Sequence, residues 1–482
     1  MTTKSSAQIS KQSFLQSILI LFVLMLAAGL LTRFVPAGQF DRVVVDGRAV
    51  IDPASFQITP RPDFPVWRWF TAPVEVLFAP NGLTIIVILV FLLLVGAAFA
   101  VLDQSGLIGA ALAGIVRRLG GRKYVILAAV TLFFMTIGAF FGVFEEVVPL
   151  TPIIVALAYY LGWDALIGLG MSILATNLGF SAAVTNPFTI GVAQQIAGLP
   201  LFSGAWFRIT LFITVYAVLM VFLILYARRI ERQPARSLTY SLDQSLRAHY
   251  KQGGAALLEG ARVRPAAMVW LAGVLALILA ILVGLPFYSP LADFSLPLVG
   301  ILFFVGGLGA GYLAGASGRE VWQAAGMGIL GIAPAIPLIL MAASVAFIVN
   351  QGGIMDTLLF SATRLFAGAS PFTAVVMIYF LALALEVFVP SGSAKAFLMM
   401  PILLPLADLV GVTRQMTITA YCFGDGFSNL AYPTNPVLLV ALGLTVVGYP
   451  KWIRWTALLW LGIFVVTFIF LLLGVAIGLG PF

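Results

Sequence analysis

The sequence contains very few residues of the kinds that build redox or metal sites. It has one cysteine, Cys422, and one histidine, His249. A lone cysteine cannot close a disulfide within the chain, and one cysteine with one histidine is too small a ligand set for zinc. We therefore expect no metal site and no cofactor.

Charge is scarce as well. Only 9% of the residues are charged and 62% are hydrophobic, which excludes a soluble globule because too little polar surface would cover it. Apolar stretches of roughly 20 residues, the length that crosses ~30 Å of hydrocarbon, recur at 14–32, 84–102, 205–227, 266–284, 294–316, 324–349 and 455–478. The first lacks a small-residue cleavage site and is interpreted as a retained helix. The sequence predicts a multi-pass protein of the bacterial inner membrane.

The net charge of +8 comes from basic residues that gather in loops between apolar segments. This pattern is typical of cytoplasmic loops, so the lipid bilayer and a small-molecule substrate, not nucleic acid, are the expected partners. Residues 228–264 are predicted to be a cytoplasmic linker, and the loop with Arg117 and Arg118 is placed on the same side. The amino terminus then lies in the cytoplasm.

Residues 33–83 contain many turn-forming prolines and glycines and are predicted to be a small external loop. Within it, three valines precede Asp46-Gly47, a pattern that predicts a β-hairpin.

The chain also repeats itself. A shift of 249 residues superposes Thr185-Asn186-Pro187 on Thr434-Asn435-Pro436, and such self-similarity indicates a duplicated unit. Counting crossings gives the two copies opposite orientations. The predicted regions are 1–83, an amino-terminal helix and external loop; 84–229, the first repeat, with a hairpin at 123–162 and a broken helix at 164–196; 230–330, the linker and two scaffold helices; and 331–482, the second repeat, with a hairpin at 370–411 and a broken helix at 413–448.

Two segments of each repeat are unsuited to simple crossings. The hairpin arms are too short to be two comfortable spans once their polar tips are removed, so they are predicted to re-enter on one side. The predicted fold is an all-α polytopic membrane protein with about nine transmembrane helices and two re-entrant hairpins in two inverted repeats.

The broken helices are the first candidate binding elements. Pro187 and Pro436 remove an amide donor and disfavour helix in the residue before them. Thr185, Asn186, Thr434 and Asn435 can then bind a carboxylate or, with the freed carbonyls, a sodium ion near the two asparagines. A simple proline kink filled by neighbouring side chains is the alternative.

The hairpin tips carry charges that are costly at membrane depth. The first tip contains Glu145 and Glu146, and the second contains Ser391, Gly392, Ser393 and Lys395. The 249-residue shift places Glu146 opposite Lys395, so one hypothesis is a zwitterion site in which Lys395 faces a carboxylate and Glu145 or Glu146 faces a cationic group. An ion pair between Glu146 and Lys395, or Glu145 at the aqueous edge, is the alternative.

More polar groups occur beside the breaks. Asn177 and Ser181 precede the first break, and Asp425 and Asn429 precede the second. Asp425 is a candidate carrier of a coupling proton or sodium ion, or else an interhelical hydrogen-bond anchor. Glu386 and Asp356 are expected to be solvated near the external surface.

The tips at 143–149 and 389–395, with both Thr-Asn-Pro breaks, resemble the C4-dicarboxylate anaerobic carrier family, YfcC branch, over nearly the whole chain. The family is similar in plan to the aminobenzoyl-glutamate and divalent-anion/sodium symporter families. The resemblance implies an elevator mechanism, in which hairpins and broken helices move against a dimeric scaffold made here by 14–32, 84–102 and 266–316. It also implies an amphipathic arm near 104–119 that cradles the first hairpin.

The substrate remains open between two classes. The family name implies dicarboxylates, whereas some similar proteins are regarded as amino-acid exchangers. The predicted site has three acids, Glu145, Glu146 and Asp425, against the single base Lys395. This balance favours an amino acid over a dicarboxylate, with a basic amino acid taken by antiport as the expected form. The chain is not expected to be an enzyme; the remaining enzyme alternative is an intramembrane hydrolase with Ser391 or Ser393 as nucleophile and Lys395 as base.

Overall fold

The structure, a computed structural model, covers most of the chain. It describes residues 11–45, 48–52, 54–80, 82–108, 110–111, 122–248, 264–284, 295–363, 366 and 368–480. The basic pair Arg117 and Arg118, His249 and most of the predicted arm at 104–119 lie outside the described residues.

The described chain is mainly helical, as predicted. In chain order the helices are α1 Lys11–Phe34, α2 Arg68–Glu75, α3 Gly82–Gln104, α4 Lys123–Phe141, α5 Thr151–Tyr160, α6 Ala165–Leu169, α7 Ala175–Ala182, α8 Val192–Ala197, α9 Ala205–Arg232, α10 Pro265–Gly284, α11 Ser295–Ala314, α12 Gly318–Ile332, α13 Ala335–Gln351, α14 Met355–Thr363, α15 Pro371–Leu385, α16 Gly392–Leu409, α17 Arg414–Gly426, α18 Pro436–Gly443 and α19 Tyr449–Ala476. Wider π turns at Gly170–Leu174 and Pro187–Gly191 join α6 to α7 and lead into α8.

Within the described ranges, eight helical stretches are long and apolar enough to cross a membrane, or nine if α12 and α13 form one span. Those two helices are bent by 41°, so the apolar stretch 324–349, expected to be one span, is two helices. Pro334 and Pro337 lie at the junction, and proline both lacks an amide donor and clashes with the preceding turn. The inverted orientation of the two halves stays a prediction.

The segment predicted to be external contains short strands, an exception to the all-α prediction. β2 Arg42–Val45 and β3 Arg48–Ile51 form the predicted antiparallel hairpin, while β1 Gly38–Gln39 pairs with β4 Gln57–Ile58.

Asp356 fixes this segment to the helices. Its carboxylate accepts from the Phe40 amide at 2.9 Å and lies 2.9 Å from the guanidinium of Arg42. The expectation that Asp356 is solvated is therefore wrong, because the strands fold over α14 and bury it.

Two groups of packed helices can be distinguished. In one, α3 packs against α11 and α12, and α1 and α2 pack against α13; in the other, α4 packs on α7, α15 on α17, and α7 on α17. Glycines permit the close crossings of the second group. A methyl group on Gly179 would lie 1.9 Å from the Met135 carbonyl oxygen, and one on Gly424 would lie 2.3 Å from that of Tyr379.

The start of the linker, as far as residue 248, folds back onto the helices. Asp164 caps α6 by accepting from the Ile167 amide at 3.0 Å, and Asp243 accepts from the Ala165 amide at 3.3 Å and pairs with Arg247 at 3.0 Å. Burial raises the pKa of Asp243 to about 6; Arg247 opposes that rise and the charge of Asp164 adds to it. The linker is thus attached to the beginning of the first broken helix.

Candidate functional site

The first hairpin turns at a glycine. Helix α4 ends at Gly142, whose φ of +68° lies in the left-handed region that glycine tolerates. A methyl group there would lie 2.2 Å from Oδ1 of Asn186. Glu145 and Glu146 follow in a 3₁₀ turn, Glu145–Leu150. The tip of this hairpin therefore lies directly against the first break.

The first break is held by its own polar side chains. Thr185 donates its amide to the Ala139 carbonyl at 3.1 Å and its hydroxyl to the Phe140 carbonyl at 2.8 Å. Asn186 accepts from the Phe188 amide at 2.9 Å and donates to the Phe180 carbonyl at 3.2 Å. These contacts attach the unwound segment to α4 and cap the turn that begins at Pro187.

A buried arginine completes the first break. Arg208 of α9 is 0% exposed, and its guanidinium donates to the carbonyls of Ala183 at 2.8 Å and Val184 at 3.0 Å. It also donates to Ser203 at 2.8 Å and Phe202 at 3.2 Å. A positive charge here complements both the freed carbonyls and the carboxyl end of α7.

At the second break, neutral side-chain donors bind the freed backbone carbonyls. Trp452 donates its indole N–H to the Leu430 carbonyl and Tyr449 its hydroxyl to the Ala431 carbonyl, both at 2.8 Å. Asn435 caps α18 through the Val437 amide at 3.0 Å.

Pro436 is the first residue of α18, and Asn429 and Thr434 are buried between α17 and α18. The Thr434 hydroxyl has no hydrogen-bond partner within the described structure.

Hydrogen bonds within the protein already use several of the oxygens that a sodium ion would need at the first break. The side-chain oxygen of Asn186 already accepts an amide, and Arg208 occupies the carbonyls of Ala183 and Val184. A metal ion there would compete with the Arg208 guanidinium for these oxygens, and the two positive charges would repel each other. At the second break the side-chain oxygen of Asn435 likewise accepts a hydrogen bond that caps α18.

The second hairpin tip contains a buried cluster of three charges. Lys395 of α16 forms ion pairs with Glu386, at the end of α15, and with Asp425 of α17, the latter at 2.7 Å. The side chains of Lys395 and Glu386 are 0% exposed and that of Asp425 is 1% exposed. The expectation that Glu386 is solvated is therefore wrong, because its carboxylate is buried at the end of α15 in an ion pair with Lys395 of α16.

Several buried polar atoms near this cluster lack partners within the chain described. They include Oδ2 of Asp425, Oγ1 of Thr189 and both side-chain polar atoms of Asn177. A methyl group on Gly392 would lie 2.9 Å from Asp425 Oδ2 and 2.7 Å from Thr189 Cγ2. Ser181 lies against Gly426 and donates its hydroxyl to the Asn177 carbonyl at 2.6 Å.

A cavity of about 530 Å³ lies between the two helix groups. Its walls come from α3 and α13 on one side and from both hairpin tips and the second break on the other. Its polar lining consists of Thr84, Glu145, Asn350, Gln351, Ser391 and Thr434. Glu145 is the one ionisable side chain among the described lining residues.

The structure thus brings together many of the predicted residues, in two places. Glu145, Ser391 and Thr434 line the cavity, whereas Lys395 and Asp425 are buried behind the second tip. Ser391 caps α16, and Ser393 is half-buried in the first turn of that helix.

Sequence reasoning missed Arg208, Glu386 and Thr189. For Arg208 and Glu386 the available signal was a charged residue inside an apolar stretch.

Comparison with known proteins gives a consistent classification. Residues 14–476 match the model of the family described as C4-dicarboxylate anaerobic carrier. The chain is 31% identical over 480 residues to the putative basic amino acid antiporter YfcC of Escherichia coli K12, covering 91% of this chain and 92% of that one. It is 26% identical over 372 residues to an uncharacterized protein of Haemophilus influenzae, covering 76% and 71%.

Two solved structures are also similar. The YdaH transporter of Alcanivorax borkumensis aligns at 19% identity and a TM-score of 0.41, covering 97% of this chain and 100% of that one. MtrF of Neisseria gonorrhoeae, described as one of a class of antimetabolite efflux pumps, aligns at 18% identity and a TM-score of 0.40, covering 95% and 94%.

Proposed function

The chain belongs to the C4-dicarboxylate anaerobic carrier family and is a multi-pass membrane transporter; from this premise we propose that it transports a basic amino acid by antiport across the bacterial inner membrane. The single observation that carries the proposal is the charge of the cavity. Its one ionisable lining side chain within the described residues is the acid Glu145.

Electrostatics separates the two substrate classes. A C4-dicarboxylate brings two negative charges into a cavity that offers it an acid and no cation from the described lining. Lys395, the base expected to receive a carboxylate, is fully buried between Glu386 and Asp425. A basic amino acid instead places a cationic group beside Glu145, where low polarity strengthens the attraction.

The neutral polar groups can bind the rest of such a substrate. Asn350 and Gln351 of α13 face the cavity opposite Ser391 and Thr434, and the Thr434 hydroxyl has a free hydrogen-bonding capacity within the described structure. Amides and hydroxyls bind both a carboxylate and an amino group. The volume of about 530 Å³ lies within the range of small-molecule pockets, roughly 300–1,000 Å³. In this proposal the carboxylate is bound by these groups and not by Lys395.

The position of the cavity supports an elevator cycle. One wall belongs to the group of α3 and α13, and the other belongs to the group containing both hairpins and the second break. A substrate bound to the second group can cross if that group slides along the first. We propose that α1, α3, α10 and α11 form the scaffold and that it assembles as a homodimer with the amino terminus in the cytoplasm.

The hydrolase alternative is disfavoured by the same cluster. Lys395 is held by two carboxylates and is not available as a base for Ser391. A hydroxyl without an adjacent free base is a weak nucleophile.

Counterflow in proteoliposomes tests the proposal. Vesicles preloaded with unlabelled arginine should take up labelled arginine, lysine or ornithine, and should not exchange succinate or fumarate. Glu145→Gln should lower this exchange at least about tenfold, the effect of losing ~1.4 kcal/mol of binding. Glu320→Gln is the matched control, because Glu320 is an exposed helix-cap residue and glutamine also serves in a capping box.

Exchange of dicarboxylates alone would overturn the substrate assignment in favour of the family name. Single-channel currents in place of saturable exchange would overturn the carrier mechanism.

A further inference from the structure

We propose that Glu386, Lys395 and Asp425 form a proton-binding site, distinct from the substrate cavity, through which the proton gradient drives the carrier. The inference extends the proposed transport function by naming a second ligand and its site. It stands on the geometry of three buried charges that join two moving elements.

The number of charges argues for one bound proton. Two carboxylates face one ammonium group, and all three side chains are at most 1% exposed. The fully ionised cluster therefore carries one uncompensated negative charge in the interior of a membrane protein, where burial of a net charge costs several kcal/mol. One proton makes the cluster neutral.

The spare oxygen of Asp425 shows where that proton can reside. Lys395 Nζ bonds to Oε2 of Glu386 and Oδ1 of Asp425. The other oxygen of Asp425, Oδ2, has no hydrogen-bond partner in the part of the chain that the structure describes, whereas the Asn435 side chain of the second break lies against the Glu386 carboxylate. A carboxylate oxygen that accepts no hydrogen bond is free to take a proton, whereas the oxygens facing Lys395 are not.

The tip of the second hairpin lies between the site and the cavity. Asp425 Oδ2 adjoins Gly392, where a side chain would close the space at 2.9 Å. The neighbouring residues Ser391 and Ala394 line the cavity. Thr189 of the first break meets the same face of Gly392, and its hydroxyl is also without a partner within the described ranges.

Protonation changes how the hairpin is attached. Glu386 and Lys395 both belong to the second hairpin, whereas Asp425 belongs to the second broken helix. When Asp425 is ionised, Lys395 ties the hairpin to α17. When Asp425 takes a proton, Lys395 keeps Glu386 alone and the ion pair across the two elements is lost. Proton binding on this side of the cluster thus weakens the contact between the second hairpin and α17.

The other titratable groups described around the cluster do not balance its net negative charge. Tyr421 donates its hydroxyl to the Gly392 carbonyl, and Cys422 and Tyr432 are neutral near pH 7. Arg208, which lies beyond Cys422, is bound to four carbonyl oxygens. A sodium ion is a weaker candidate than a proton, because the Lys395 ammonium already lies between the two carboxylates.

Gradient-driven uptake tests the coupling. For each coupled proton, a pH difference of one unit changes steady-state accumulation up to about tenfold. We expect wild-type protein to respond in this way without sodium. In Asp425→Asn and Glu386→Gln the ratio of accumulation with the gradient to accumulation without it should fall below two, since both variants leave the cluster neutral without a proton. Asp408→Asn, at an exposed aspartate on α16, is the matched control. A full gradient response in Asp425→Asn, or strict dependence on sodium, would overturn the proposal.

Infrared difference spectra between pH 5 and pH 8 separate this inference from the substrate assignment. They need no substrate. We expect the carbonyl stretch of protonated carboxylic acids at low pH in the wild type and in Asp408→Asn, and a weaker band in Asp425→Asn and Glu386→Gln, where other carboxyls such as Asp243 still contribute. If arginine is not exchanged but this band behaves as expected, the substrate proposal fails and the proton site stands. If the band is unchanged in Asp425→Asn and Glu386→Gln, the proton site fails whatever is transported.

Discussion

Replacing Arg208 by alanine should destabilise the protein more than any change at an exposed arginine. The guanidinium donates four hydrogen bonds of 2.8–3.2 Å to carbonyls of the first break and of the loop before α9. Each buried acceptor left without a donor costs about 1–3 kcal/mol, and relief from burying a charge offsets part of that sum. A net loss of about 4 kcal/mol is expected, or a fall in Tm of roughly 5 °C for a chain of this length.

The native cysteine of the chain can report this loss of stability. Cys422 is its single cysteine and is 1% exposed, so a thiol-reactive dye reports unfolding of the detergent-solubilised protein as it is heated. Arg229→Ala is the matched control, because Arg229 is an exposed arginine near the other end of the same helix. Arg208→Lys should lie between them, since lysine lacks the planar fork that reaches several carbonyls. A Tm for Arg208→Ala within one degree of the control would refute the reasoning.

Three further predictions concern other parts of the fold. Trp452→Phe leaves the Leu430 carbonyl without its donor and should cost about 1–3 kcal/mol, measured by the same dye. Asp243→Asn should flatten the dependence of Tm on pH between about 4 and 6. Because the pKa of Asp243 is raised in the folded protein, its contribution to stability is present below its unfolded pKa and is lost as pH rises through 6. An unchanged slope would contradict this. Gly424→Val should abolish the folded transporter, because its side chain would meet the Tyr379 carbonyl; normal yield in size-exclusion chromatography would argue against the close crossing.

Short sequence patterns predicted several of the turns and helix ends. The β-hairpin at Arg42–Ile51 follows the predicted pattern, and helices end beside Gly142 and begin at Pro187 and Pro436, where turn and proline chemistry place such changes. These features depend on a few consecutive residues, which is the range over which a single sequence is informative.

The charged contacts could not be predicted in the same way. Glu386 was expected near the external surface, yet it is buried and pairs with Lys395, 9 residues further along, close to Asp425, 39 residues further along. Arg208 finds its carbonyl partners up to 25 residues upstream, across a break whose geometry is set by the fold. The pairing of such groups depends on which helix faces meet, and a sequence pattern does not specify that.

The two breaks share a mechanical property. Each is fastened by side chains of the long helix that follows it in the sequence, Arg208 of α9 in one case and Tyr449 and Trp452 of α19 in the other. Any displacement of an unwound segment that left its helix behind would expose bare carbonyls to lipid. In the proposed elevator cycle each long helix and its unwound segment must therefore move together, so α9 and α19 belong to the mobile group of helices and not to the scaffold.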